Sequence, residues 1–108
     1  MTKIRLVKLV VFVPASHGKR VREAIGKAGA GKLGKYSFCS FSAKGVGRFK
    51  PGKGAHPAIG KIGRIEQVQE ERIETICSRT KIKSVVAAIK KVHHYEEVAL
   101  DIYPLEEI

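Results

Sequence analysis

Five consecutive positions near the C-terminal end, His93-His94-Tyr95-Glu96-Glu97, bring together two imidazoles, a phenol and two carboxylates. Side chains of these types bind divalent metals or move protons. A metal needs ligands converging from several elements, and Cys39 can complete a set with His93, His94 and Glu96. A divalent metal is therefore the one cofactor these residues suggest. Against it, neighbouring histidines at a helix end diverge, and cationic groups there are also favoured by the helix dipole. His17 and His56 fall in loops without evident partners. Ser37, Ser40 and Ser42 lack a G-x-S-x-G elbow, so no nucleophile stands out. With no catalytic constellation left, the chain reads as a non-enzyme.

Two phosphate-binding patterns match on paper. Gly29-Ala30-Gly31-Lys32-Leu33-Gly34 satisfies GxGxxG, and Gly26 to Lys32 satisfies GxxxxGK with Leu33 where a magnesium-binding hydroxyl belongs. Both need a strand before the glycines and a helix after them, so that backbone N–H groups face the phosphate. Here a helix precedes and a strand follows. The glycines are read as a helix C-terminus and a tight turn.

Charge is the stronger compositional signal. The 108 residues carry a net charge of +11. Residues 17–64 hold twelve Lys/Arg against the single acid Glu23, while residues 65–108 hold six against nine acids. Such a field attracts anions, or simply forms a solvated face. The longest apolar run, Leu9 to Pro14, is too short to cross a bilayer, and Met1 to Lys8 has no signal-peptide core. Cys39 and Cys77 lack metal or redox spacing and are expected to be reduced thiols in a cytoplasmic protein.

The elements that must position these groups come from periodicity. Ile4 to Val13 reads as a strand with apolar residues on both faces, hence a central one, and Pro14 stops it. Ser16 is placed to cap a helix carrying Val21, Ala24, Ile25 and Ala28. Arg72 to Cys77 is again strand-like, and Ser78 or Thr80 can cap a second helix presenting Ile82, Val85, Val86, Ile89 and Val92. An offset of 64 aligns Phe12 with Ile76, Val21 with Val85, Ala24 with Ala88 and Ile25 with Ile89. Each half is expected to end in a strand, Tyr36 to Ser42 and Val98 to Tyr103. Two strand–helix–strand units in tandem give an α+β, ferredoxin-like βαββαβ sandwich, with two helices on one antiparallel sheet. The expectation is one domain over 1–108 with a glycine-rich excursion at about 43–64. Ala43 to Arg64 holds six glycines and two prolines, and Phe49, Pro51, Pro57 and Ile59 would let it fold against something.

The RNA-recognition motif shares this element order but reads bases with aromatics on its third strand. Glu70-Glu71-Arg72-Ile73-Glu74-Thr75 is acidic there and carries no aromatic. Specific nucleic-acid reading is not expected; loose electrostatic binding stays open.

Several blocks together resemble a known family. Ala28-Gly29-Ala30-Gly31, Gly34 through Phe41, Gly45-Val46-Gly47-Arg48-Phe49-Lys50-Pro51, Ile59 through Gly63, Glu71 through Glu74 and His93 through Leu105 look like the inserted domain of the YqfO, or Nif-three-like, dinuclear-metal-centre proteins. That insert is similar to the CutA and PII signalling proteins. The resemblance implies a CutA/PII-like fold, association into a homotrimer, and a role as a small binding or regulatory module. In the family the metal pair is held by flanking domains, so the resemblance implies a free-standing module without that site. A small anionic ligand is expected at subunit clefts. By the resemblance, Arg48, Lys50, Lys53, Lys61 and Arg64 supply charge, with Tyr36 and Tyr95 at the edge. The alternatives are a divalent metal at Cys39, His93, His94 and Glu96, or a structural partner, protein or nucleic acid, on the basic loop. Where the family usually has proline, this chain has His94.

Overall fold

The computed structural model describes residues 5–107. Its strands are β1 (Leu6–Pro14), β2 (Phe41–Phe49), β3 (Glu66–Ser78) and β4 (Leu100–Pro104), and its helices are α1 (Gly18–Lys27) and α2 (Ile82–Val92). The sheet runs β2-β3-β1-β4, and every neighbouring pair is antiparallel. This is the ferredoxin-like arrangement expected from the duplicated pattern, and β1 is a central strand, as its two apolar faces required. Ile4, the expected first residue of that strand, lies outside the described residues.

Both helices cover one face of the sheet. Val7, Leu9, Val11 and Val13 alternate toward them, and Val21, Ile25, Val85 and Ile89 answer from the helices, all at most 2% exposed. Each such side chain contributes on the order of 1.5–3 kcal/mol by leaving water. The 64-residue offset is thus realised as two matched pairs in one core.

Three details correct the expectation. Ser16 does not cap α1. It sits in a 3₁₀ turn over Ala15–His17, and its hydroxyl pairs with His17 Nδ1 at 2.9 Å. Nor do Ser78 or Thr80 cap α2: Ser78 caps the 3₁₀ turn Arg79–Lys81 before it, accepting the Thr80 N–H at 3.4 Å, and α2 itself starts from Lys81 without a side-chain cap. The second strand is not Tyr36–Ser42 but Phe41–Phe49, so the excursion shrinks to residues 50–65. The reason lies in the segment 29–40. Gly31 takes φ +79°, donates to the Ile76 carbonyl at 2.7 Å and accepts from Cys39 N–H at 2.8 Å. The nearly buried Thr75 hydroxyl donates to the Cys39 carbonyl at 2.8 Å, tying the segment to β3. The Phe38 ring lies against Gly26, where any Cβ would collide with it. Tyr36 and Phe38 therefore belong to a turn, and of the three strand-like aromatics only Phe41 enters a strand.

Candidate functional site

A cleft of about 490 Å³ opens where the excursion folds back over the end of the sheet. Paired residues of neighbouring strands share a face, so the register places Phe49 and Gly47 of β2, Glu70 of β3 and Phe12 of β1 on the face opposite the helices. Together they form the floor. One wall is the excursion, through Pro51, Pro57 and Ile59; the other is the turn after α2, through Tyr95, Glu96 and Ala99.

The excursion is ordered by its own backbone. Gly63 N–H donates to the Pro51 carbonyl at 2.9 Å, closing a compact loop around the buried Pro51. His56 N–H donates to Glu96 Oε1 at 3.0 Å and joins the two walls. The Glu70 carboxylate lies directly over Gly47 at the floor, in the space a Cβ there would take.

The opposite wall is set by His93. Its backbone N–H closes α2 on the Ile89 carbonyl at 2.9 Å, while its ring turns back to the sheet. Nδ1 accepts the Tyr95 N–H at 3.1 Å, which leaves the proton on Nε2 to be donated to the Phe12 carbonyl at 2.7 Å. Tyr95 is thereby brought edge-on to Phe49, ring centroids 5.5 Å apart. Its hydroxyl is buried without a hydrogen bond of acceptable geometry. Burial, and secondarily the neighbouring Glu70 carboxylate, push this phenol well above its ordinary range, so it stays a neutral donor.

The expected site residues divide. Arg48, Lys50, Tyr95 and Glu96 line the cleft. Lys53, Lys61 and Arg64 are exposed on the excursion and do not line it. Tyr36 is 75% exposed at a bridge with Leu33, outside the cleft. Phe12, Phe49 and Glu70 also line the cleft; sequence alone marks only Phe49, with Pro51, Pro57 and Ile59, as part of a segment able to fold against something. The cationic nest expected for an anion is thus partial: Arg48 and Lys50 share the lining with Glu70, Glu96 and Glu97, and along β2 Arg48 alternates with Gly47 and Phe49, which puts its side chain toward the other face of the sheet.

The metal set is a correction. Cys39 is held beside Gly31 and Thr75, with its thiol toward the Ser37 carbonyl, and not at the His93 turn. Both His93 ring nitrogens are engaged, and His94 turns away to stack on His17 with centroids 4.5 Å apart. Among the described residues no three His, Cys, Asp or Glu gather as a metal would need. The His17 ring, expected to lack partners, bonds Ser16 and stacks on His94, whereas His56 is tied to Glu96 through its backbone N–H. Cys39 and Cys77 are free. No helix among the described residues is long and apolar enough to cross a membrane.

No family model matches the chain. Curated relatives do: GTP cyclohydrolase 1 type 2 homologs of Halalkalibacterium halodurans (56% identical, 93% of this chain) and Bacillus subtilis (51%, 94%). Over 99% of its length the chain also superposes on a Bacillus cereus protein related to NIF3, TM-score 0.87 at 44% identity. The chain is homologous to one segment of these proteins. It spans about a quarter of their length, 27% in each case. The CutA-like fold is equally plain: the periplasmic divalent cation tolerance protein CutA of Archaeoglobus fulgidus superposes with TM-score 0.67 over 94% of this chain and 85% of its own, at 16% identity. At that identity the likeness concerns the fold alone.

Proposed function

We propose that this NIF3-related, CutA-like domain is a non-catalytic binding module whose cleft takes a small ligand with an apolar or aromatic body and an anionic group. The observation that supports it is the gathering of Phe12, Phe49 and Tyr95 in one concave site whose lining also includes Lys50 and Arg48. Ligand sites are mostly apolar with a few convergent polar groups, and this one has that balance. The anion belongs on the Arg48–Lys50 side, and a hydrogen-bond donor of the ligand would face Glu70. The domain is further proposed to act as a homotrimer. Both edge strands expose apolar side chains, Phe41 and Val46 on β2 and Ile102 and Tyr103 on β4, and unpaired edges of this kind invite a second copy.

Calorimetric titration with nucleotides and common anionic metabolites tests the ligand reading. At least one compound should release heat, and Lys50→Ala should weaken it roughly 10-fold or more, the scale of losing a charged contact of about 1.5–3 kcal/mol. Silence across the panel at millimolar ligand removes the proposal. Native mass spectrometry tests the trimer.

A further inference from the structure

The acidic balance of residues 65–108 conceals a second basic element. Residues 79–92 contain five Lys/Arg and no acid; the nine acids of that stretch lie in β3, in the turn after α2, and in and after β4. Folding separates the two sets. Lys83, Lys90 and Lys91 are exposed on α2, and Lys19, Arg20 and Lys27 are exposed on α1, while the buried positions of both helices face the sheet. The helices run side by side, and Lys81 lies over Gly29 at the end of α1, so the Arg79–Lys81 turn joins the two rows. Glu23 is the one acid on this layer, and among the described residues Arg22 is its only cation in an ion pair, with Glu71 beneath it. Glu70 and Glu74 point from β3 to the other face of the sheet, as their register with Phe41 and Gly45 requires.

We infer that the outer face of the two helices is a docking surface for the phosphate backbone of duplex nucleic acid, read without regard to sequence. The face is about 15 Å long, the length of a ten-residue helix, and its two cation rows are separated by the usual helix spacing of roughly 8–10 Å. Flexible lysine stems let rows so spaced splay outward to the phosphate ridges on either side of a groove roughly 12 Å wide. Between the lysines stand Ser84 and Ala87, with no exposed aromatic or large aliphatic side chain on either helix. Single strands need aromatic platforms for stacking, bilayers need apolar side chains to insert, and protein partners need buried anchors. None of these is offered. Closely spaced phosphates are the partner that needs only charge.

Fluorescence anisotropy of a 24-base-pair duplex with the full chain tests this across salt. With about five phosphates neutralised, log affinity should fall against log salt with a slope of about −4.5, a loss of roughly 500-fold from 50 to 200 mM. Lys83→Glu/Lys90→Glu/Lys91→Glu should weaken binding at least 10-fold and flatten the slope by about 2.7. The Lys→Gln version of the same triple should flatten it similarly while leaving the circular-dichroism melt unchanged. Lys53→Glu/Lys61→Glu on the excursion should do neither. A flat salt response, loss through the excursion variant instead, or binding to phosphatidylserine vesicles without duplex binding would each overturn the inference.

Discussion

The two halves of the chain begin alike and end differently. Val21 and Val85, and Ile25 and Ile89, occupy matching places in one core. Beyond the helices the likeness stops. After α1 the chain is held chiefly by backbone, Gly31 bonding Ile76 and Cys39, with the Thr75 hydroxyl on the Cys39 carbonyl and no titratable side chain in the ties. After α2 it is held by a side chain, His93, bridging Phe12 and Tyr95. A turn built from backbone is rigid and chemically mute. A turn hung on one imidazole places an aromatic and two carboxylates over the sheet, and this is the half that walls the cleft.

The comparison can be broken most severely at its common part. Ile25→Ala and Ile89→Ala should each destabilise by about 2–5 kcal/mol in denaturant melts, and by similar amounts, because both empty the same core. A large disparity would show that the halves do not share it. Next comes the backbone turn. Gly31→Ala places a Cβ 2.5 Å from the Cys39 carbonyl oxygen at φ +79°. It should cost about 1–2 kcal/mol for the conformation, with about 1–3 more for the collision. Gly34→Ala, at φ +58° with nothing within 4 Å, should cost the first amount alone. The side-chain turn should prove weaker but functional. His93→Ala leaves the Phe12 carbonyl and the Tyr95 N–H without their partner, a loss of about 1–3 kcal/mol. It should also weaken any ligand of the cleft, which Gly34→Ala should not.

The smallest effect concerns pH. Desolvation, with the charges of His94, Arg20 and His93, lowers the His17 pKa below its ordinary 6.5. The folded state then favours neutral His17, so its contribution is complete above pH 6.5 and is lost as pH falls through the lower folded value. Melting temperature should decline slightly from pH 7.5 to 5.5, and His17→Asn should flatten that decline.

What the sequence disclosed follows the same division. Helices, central strand and duplication were legible because apolar periodicity records burial directly. β2 was not, since most of Phe41–Phe49 is exposed on an edge strand and is defined by its hydrogen bonds to β3, which leave little trace in hydropathy. Phe38 imitated a strand residue, yet it covers Gly26 from a left-handed backbone, φ 58°, and only Phe41 and Ser42 of that run enter β2. Tyr95, Arg48 and Lys50 could be picked out by residue type. Phe12 and Glu70 could not, because they reach the cleft only once the excursion folds back over positions far away in the chain.

Amide chemical-shift mapping of the full chain, titrated with the tightest compound of the nucleotide and metabolite panel, tests the binding reading most directly. The account predicts perturbations gathered at residues 47–52, 57–59 and 95–99, with the helices unmoved. Shifts confined to the helices, or none at millimolar concentration, would contradict it.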